Sequence, residues 1–345
     1  MIKIAIIGAT GYSGQELLRL LLGHSEAKIK YLASKRYVGQ KINDIYKSLE
    51  GANLNGAEVC VEEDIEKFSK DCDVIFLALP SGFASKLITE EVLKNTKVID
   101  LGADFRFKNI NVYKEWYKIE HFGEDLLSEA VYGLPEINRE AIKKARLIAN
   151  PGCYSTCSIL SLAPFVKANT IDTSSIVINA CSGTSGAGRG LATSALFCEV
   201  NENFKAYKIA SHRHTPEIEQ VLGLDVPLTF TPHLLPVNRG ILTTIYADLR
   251  FDIEIDKLKE IAQDFYKSEQ FVRIMEGDGS AEIRWVRGTN YFDMNIFKDS
   301  RTNKLIITSA LDNLIKGAGG QAIQNMNLMF GLEENTGLNN MGVFP

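Results

Sequence analysis

No apolar run in this chain of 345 residues approaches the roughly 20 residues that a membrane-crossing helix needs. There is no basic block either. Acidic groups outnumber basic ones, 43 Asp and Glu against 38 Lys and Arg, for a net charge of −5. We therefore expect neither a nucleic-acid nor a membrane partner. Cysteine is scarce, at six residues, too few for a disulfide scaffold of this length. The opening MIKIAIIGATG lacks the charged region and long apolar stretch of a secretory signal, so free thiols and a cytoplasmic location are expected. Gly (27) and Pro (9) together make about a tenth of the chain, which excludes collagen-like and low-complexity classes. Histidine is rarer still, at five, and none has the close Cys or His spacing of a zinc site, so no metal is expected. What is present is ordinary globular composition, 45% hydrophobic and 23% charged. At about 150 residues per domain the length suggests two domains.

The first 35 residues read as one βαβ unit. Ile2 to Ile7 is a short apolar run suited to a strand buried on both faces. Gly8-Ala-Thr-Gly11-Tyr-Ser-Gly14 follows, then a Leu-rich helix stopped by Gly23, then a strand from Lys28 to Ala33. The glycine spacing is a variant of the dinucleotide fingerprint: the backbone turns tightly, and a helix N-terminus offers N–H groups to a pyrophosphate. Gly8, Thr10, Gly11, Tyr12, Ser13 and Gly14 are the expected cofactor contacts. An NAD site usually carries a carboxylate at the end of the second strand for the ribose 2′-hydroxyl. Here the chain reads Ser34-Lys35-Arg36, so Ser34 and Arg36 are expected to bind a 2′-phosphate and the cofactor to be NADP(H). Asp73 to Leu79 and Lys97 to Leu101 are further buried-strand segments alternating with helices, which implies a doubly wound parallel sheet. Ligands sit beyond the carboxyl ends of such strands, which adds Pro80 and Ser81. From Phe105 to Tyr132 we expect an irregular covering loop.

One cysteine stands out. Cys153 follows Asn150-Pro-Gly152 and precedes a helix from Ser155 to Lys167. A helix start favours a thiolate, whereas an ordinary thiol with a pKa of about 8.5 is only about 3% ionised at pH 7. Cys157 reads as a buried small apolar residue. His24 and His121 have surface-like contexts. His212 and His214 flank Arg213 before a helix that Thr215 would cap and Pro216 begin, which suits a proton donor beside an anion site. The glycine-rich loop from Ser182 to Gly190 offers free N–H groups and Arg189. Arg239 precedes a strand from Ile241 to Leu249 and suits a substrate carboxylate. Gly183 and Asn313 are further expected at the cofactor, and Ser182 and Asn150 at the substrate. A helical segment from Asp312 to Met329 is interrupted by glycines at 317, 319 and 320.

Seven segments in this order resemble the N-acetyl-gamma-glutamyl-phosphate reductase family of arginine biosynthesis, within the wider semialdehyde and glyceraldehyde-3-phosphate dehydrogenase group. They are the turn from Gly8 with its helix, LALPSG at 77–82, NPGCYST at 150–156, SGTSGAGRG at 182–190, HRHTPEI at 212–218, HLLPVNRG at 233–240 and KGAGGQA at 316–322. The resemblance implies NADPH-dependent reduction of an N-acetyl-glutamyl phosphate to the semialdehyde. Cys153 would be the nucleophile and His212 or His214 the acid/base, with a preference for His212. Arg189 and Arg239 would bind the substrate's carboxylate and phosphate in either order, and a homodimer or homotetramer would form. The expected architecture is an α/β chain. Residues 1–150 with 312–345 form the Rossmann-type domain, residues 151–311 an α+β catalytic and oligomerisation domain, and the site lies in the cleft. The rival readings are a related acyl-phosphate reductase, acting on aspartyl phosphate or a carrier-linked aminoadipyl or glutamyl phosphate, and a binding module without turnover.

Overall fold

The computed structural model describes residues 1–54 and 56–343. It divides into two units: Met1–Pro151 with Ala318–Asn339, and Gly152–Gly317 with the chain from Asn340 onward. The second boundary therefore differs from the expected residue 312. Asp312 and Asn313 stay with the second unit because their side chains accept the Gly288 and Gly240 N–H groups, each at 2.8 Å. The tail joins it through the Val343 N–H, which donates to the Arg287 carbonyl.

In the first unit the apolar segments become six strands: β1 (Ile2–Ile7), β2 (Ala27–Ala33), β3 (Val74–Leu77), β4 (Lys97–Asp100), β5 (Val131–Tyr132) and β6 (Leu147–Ala149). They form one parallel sheet in the order β2-β1-β3-β4-β6-β5. Continuous Val, Ile and Leu runs suit it because helices cover both faces of a parallel sheet; β3 is buried at every residue. The helix Tyr12–Leu22 buries Leu17, Leu18, Leu20 and Leu21, and Gly23 ends it. The order reverses at β1, so the glycine turn leaves the sheet at its switch point, where open α/β sheets bind ligands.

Residues 105–132 are not a covering loop. Asn109 caps a helix, Ile110–Tyr117, that closes a small core of Ala103, Phe107, Tyr113 and Tyr117. The aromatics that look irregular in sequence are spaced to stack, Tyr113 on Tyr117 with centroids 5.0 Å apart. His24 and His121 are also buried, against expectation. His24 Nε2 pairs with Asn327 Oδ1 at 2.8 Å, and His121 Nε2 with the Asp104 carbonyl at 2.8 Å. Asp104, fully buried, holds the turn after β3: its carboxylate accepts the N–H groups of Gly82 (2.6 Å) and Ser85 (2.9 Å) and the Tyr113 hydroxyl (2.8 Å).

The second unit is a seven-stranded mixed sheet of β7 (Ile171–Ser182), β8 (Lys205–Ala206), β9 (Thr229–Leu234), β10 (Ile241–Leu249), β11 (Val272–Ile274), β12 (Phe292–Asp299) and β13 (Lys304–Leu311). Their order is β11-β12-β13-β10-β7-β9-β8. The helix Cys153–Lys167 lies against it, buried from Tyr154 to Phe165. A helix buried all round has no solvent face to set its rotation. A buried polar cluster supplies that register. Ser309 Oγ of β13 lies 2.6 Å from Ser161 Oγ, 2.5 Å from Thr243 Oγ1 of β10 and 3.4 Å from Cys157 Sγ. Burial pushes the Cys157 thiol up to about 12. The glycine interruption after β13 is a π-helical turn, Ile315–Gly319, leading into the helix Gly320–Met329.

Asp104→Ala removes three hydrogen bonds to a charged acceptor. It should cost about 2–4 kcal/mol in urea unfolding; a loss under about 0.5 kcal/mol would contradict the role given to Asp104.

Candidate active site

The turn of the first unit is closed by contacts that only glycine permits. Gly8 has φ +85°, and a β-carbon there would run into the Ala78 carbonyl oxygen. A β-carbon on Gly14 would run into the Gly8 carbonyl oxygen. The Gly8 and Ala9 N–H groups are spent on the Ala33 carbonyl, at 3.0 and 3.1 Å. The next helix has Gly11 as its cap with no side-chain cap, and its first internal bond is Gln15 N–H to the Gly11 carbonyl. The N–H groups of Tyr12, Ser13 and Gly14 therefore have no intrahelical acceptor, as a phosphate cradle requires. Thr10 Oγ1 lies 2.7 Å from Ser34 Oγ, and the Tyr46 hydroxyl donates to the Thr10 carbonyl at 2.7 Å, tying the turn to the end of β2. Beyond Ser34, Lys35 and Arg36 are exposed. The residues fit a dinucleotide pyrophosphate and a 2′-phosphate. Pro80 and Ser81 lie in the turn that Asp104 anchors at Gly82.

In the second unit Cys153 is the first residue of its helix, with Gly152 as the cap. The remaining thiols are separate from it. Burial raises Cys60, Cys72, Cys157 and Cys181 above the ordinary thiol range. Cys153 opens onto a cavity of about 410 Å³ that also receives His212, Arg213, His214, Ser182 and Gly183. β7 and β9 are parallel and paired from Val177 with Thr229 to Ser182 with Leu234, so both strand ends reach this cavity.

Lys205, Tyr207 and Lys208 also line the cavity and belong to none of the sequence motifs; Tyr154, of NPGCYST, joins them. The Tyr207 hydroxyl donates to the Tyr154 hydroxyl at 3.2 Å, and Tyr154 donates on to the His233 carbonyl at 3.2 Å. Burial raises both phenols, Tyr207 to about 12, so both remain donors. Lys205, Lys208 and Arg213 bring three cations to one cavity. Burial and the Arg213 charge lower the Lys208 ammonium.

The two histidines differ. His212 is buried, edge-on to Tyr154 at 5.4 Å and to His214 at 4.8 Å. Its Nδ1 accepts the His214 N–H at 3.2 Å, which places its own proton on Nε2. Burial first, then the charges of His214, Lys208 and Arg213, push it down to about 2. His214 instead packs on the residue before the thiol: a β-carbon on Gly152 would lie 2.5 Å from His214 Nε2. The helix that follows, Thr215–Leu222, has His214 rather than Thr215 as its cap residue. It presents Glu217, fully buried, whose Oε1 accepts the Gly152 N–H at 2.8 Å.

Other expected residues are placed elsewhere. Asn150 is buried in the first unit with both ends of its amide engaged, Nδ2 to the Ala318 carbonyl and Oδ1 from Asn325, each at 3.1 Å. Asn313 accepts the Gly240 N–H and donates to Ser185 Oγ at 2.9 Å, so it ties two loops of the second unit together. Arg239 pairs with buried Asp312 at 3.5 Å, and neither it nor exposed Arg189 is among the residues lining the cavity. Among the described residues, no group of three or more His, Cys, Asp or Glu could hold a metal. No helix among them is long and apolar enough to cross a membrane.

Residues 3–145 match the semialdehyde dehydrogenase NAD-binding domain, and residues 153–313 match the semialdehyde dehydrogenase dimerisation domain. The chain is 51% identical, over all of both chains, to N-acetyl-gamma-glutamyl-phosphate reductase of Lachnoclostridium phytofermentans. It is 48% identical to that of Campylobacter jejuni over 98% of each chain. Its fold is similar to that of aspartate semialdehyde dehydrogenase II of Vibrio cholerae, with a TM-score of 0.71, 18% identity and 96% and 98% of the two chains covered. It is also similar to the Candida albicans aspartate semialdehyde dehydrogenase solved with NADP, with a TM-score of 0.67, 17% identity and 97% and 99% covered.

The histidine environment has a pH consequence. His212 stays neutral in the fold down to about pH 2, but unfolded it takes up a proton near 6.5. Below 6.5 the unfolded chain binds more protons, so stability falls as pH falls. As pH falls from 6.5 to about 5 the wild-type chain should lose stability relative to His212→Asn with a slope that steepens from about half of 1.4 kcal/mol per pH unit toward that limit. Denaturant unfolding at several pH values measures this, and parallel slopes would contradict it.

Proposed function

The chain belongs to the N-acetyl-gamma-glutamyl-phosphate reductase family, and from that premise we propose that it reduces N-acetyl-glutamyl 5-phosphate to N-acetylglutamate 5-semialdehyde with release of phosphate, a step of arginine biosynthesis. The observation that carries this reading is the thiol at a helix start in a cavity that also holds two imidazoles and three cations.

The cofactor is NAD(P)(H), and we take NADP(H) as the preferred form because Ser34, Lys35 and Arg36 stand where a carboxylate would repel a 2′-phosphate. Gly8 to Gly14 would hold the pyrophosphate, with Pro80, Ser81 and Gly183 as further contacts. When bound, the reduced nicotinamide supplies the hydride that brings the acyl group to the aldehyde level. The protein's own residues do the rest. Cys153 Sγ, as thiolate, attacks the acyl carbon; the C–S bond forms, the C–O bond to phosphate breaks, and phosphate leaves with the electron pair. After reduction of the thioester, the oxyanion on carbon re-forms the carbonyl, the C–S bond breaks and the thiolate is regenerated. Because the Gly152 N–H is committed to Glu217, the donors for that oxyanion are the N–H groups of the helix start itself. His214 is the better acid/base: it lies on Gly152, whereas His212 is held neutral far below the working pH. Lys205, Lys208 and Arg213 receive the substrate's anionic groups; Arg239, paired with Asp312, is not among the residues that line this cavity. We further propose a cytoplasmic homo-oligomer built on residues 153–313, the span of the dimerisation-domain match.

The reverse reaction tests this: N-acetylglutamate 5-semialdehyde, phosphate and NADP⁺, followed by nicotinamide absorbance. Cys153→Ser should lose at least about a thousandfold in turnover and keep its NADP⁺ affinity; retained turnover would overturn the covalent route. Side-by-side assays with aspartate semialdehyde and carrier-linked semialdehydes test the rivals, and a higher kcat/KM for either would replace the named substrate. Arg36→Ala should weaken NADPH binding about tenfold and leave NADH unchanged. Equal losses for both would contradict the 2′-phosphate assignment.

A further inference from the structure

Glu217 has the features of a group kept for something other than packing. Its side chain is fully buried, and an ionised carboxylate out of water costs several kcal/mol unless it is hydrogen-bonded and charge-compensated. An apolar residue of similar size would fill the same space without that cost. What the carboxylate does is specific. It accepts the N–H of Gly152 at 2.8 Å, across 65 residues of chain. Gly152 caps the helix that Cys153 begins. Three residues before Glu217, on the same face of its helix, His214 lays its ring on the α-carbon side of the same glycine. One helix end thus grips one residue twice, by a hydrogen bond and by a ring contact. Gly317 also packs against the thiol's residue: a β-carbon there would come within 2.8 Å of Cys153 Cβ. The thiol's own residue is fitted between these elements and has little room to move.

We propose that Glu217 is a positioning residue of this reaction: its carboxylate fixes the backbone ahead of Cys153 against the histidine helix, so that thiol and imidazole keep one geometry through the catalytic cycle. This rests on the function proposed above. It predicts that the hydrogen bond, rather than burial of any side chain, carries the effect, because a misplacement of about 1 Å near the reacting atoms costs about 100-fold in rate.

The experiment compares the full-length chain with Glu217→Ala, Glu217→Gln and Glu217→Asp. Glu217→Ala should lose at least about tenfold in kcat while KM for NADP⁺ stays within about twofold. Glu217→Gln, which keeps an oxygen acceptor of the same reach, should recover most of that loss. Glu217→Asp, which keeps the carboxyl group but withdraws it by one methylene, should behave like Ala and keeps the test valid if Ala fails to fold. Iodoacetamide labelling mapped by peptide mass gives a readout independent of turnover. The Cys153 rate should change at least about fivefold in Glu217→Asp while Cys181 and Cys198, in the same unit, keep theirs. Wild-type kcat in Ala or Asp, no advantage of Gln over Ala, or a common change at all three thiols would overturn the proposal. Absence of turnover in the wild type would overturn the reaction instead, and the labelling comparison would still decide the role of Glu217.

Discussion

The hydrogen bond from the Gly152 N–H to the buried Glu217 carboxylate is the constraint on which the second unit's chemistry depends. A thiol at a helix start gains from the N-terminal end of the dipole only if the first turn is held still, because that field falls off within one turn. Gly152 has no side chain with which to fix itself, and its cap position carries no side-chain hydrogen bond. The glycine is required because His214 occupies the space a β-carbon would take. Rigidity has to come from outside the helix, and Glu217 supplies it. Further along the same helix, the Ser161, Thr243 and Ser309 hydroxyls fix its register on the sheet. The helix that Cys153 begins is thereby held by hydrogen bonds just before its first residue and again at Ser161.

The cavity around this corner is arranged for anions. Lys205, Lys208 and Arg213 converge there although like charges repel, and burial of Lys208 beside Arg213 lowers the affinity of its amine for a proton. A substrate carrying a carboxylate and an acyl phosphate relieves that repulsion on binding, a difference in energy between free and occupied sites that a neutral ligand does not provide. His212 belongs to the scaffold of this arrangement. Held neutral by burial and by neighbouring cations, it orders the chain through Nδ1 and packs edge-on to Tyr154.

Much of this was legible in the sequence where the signal is local. The glycine turn, the buried strands and the Pro-Gly-Cys helix start each lie within about fifteen residues, and backbone sterics and hydrophobic period dictate them. The α/β class was legible too, because strands alternating with helices leave few topologies. What was not legible is what depends on distant partners. The sequence does not show that Asn325 and the Ala318 carbonyl meet the Asn150 amide. Nor does it show that Asn313 meets Gly240 and Ser185, or that Arg239 meets Asp312. Lys205 and Tyr207 reach the cavity only because β8, two residues long, pairs antiparallel with β9, a pairing with no signature in so short a segment. Glu217 stands in HRHTPEI, but its contact with Gly152 forms only in the fold.

The account stands on the covalent use of Cys153, and the most direct measurement is a single turnover in the oxidative direction without phosphate. With N-acetylglutamate 5-semialdehyde and NADP⁺ present, acyl transfer to phosphate is blocked, so the acyl group should remain on the thiol. Acid quenching and peptide mapping should then find an N-acetylglutamyl thioester on the peptide containing Cys153, together with an equal amount of NADPH, and none on the other five cysteines. NADPH formation with Cys153 unmodified, or with the adduct on another cysteine, would contradict the central claim.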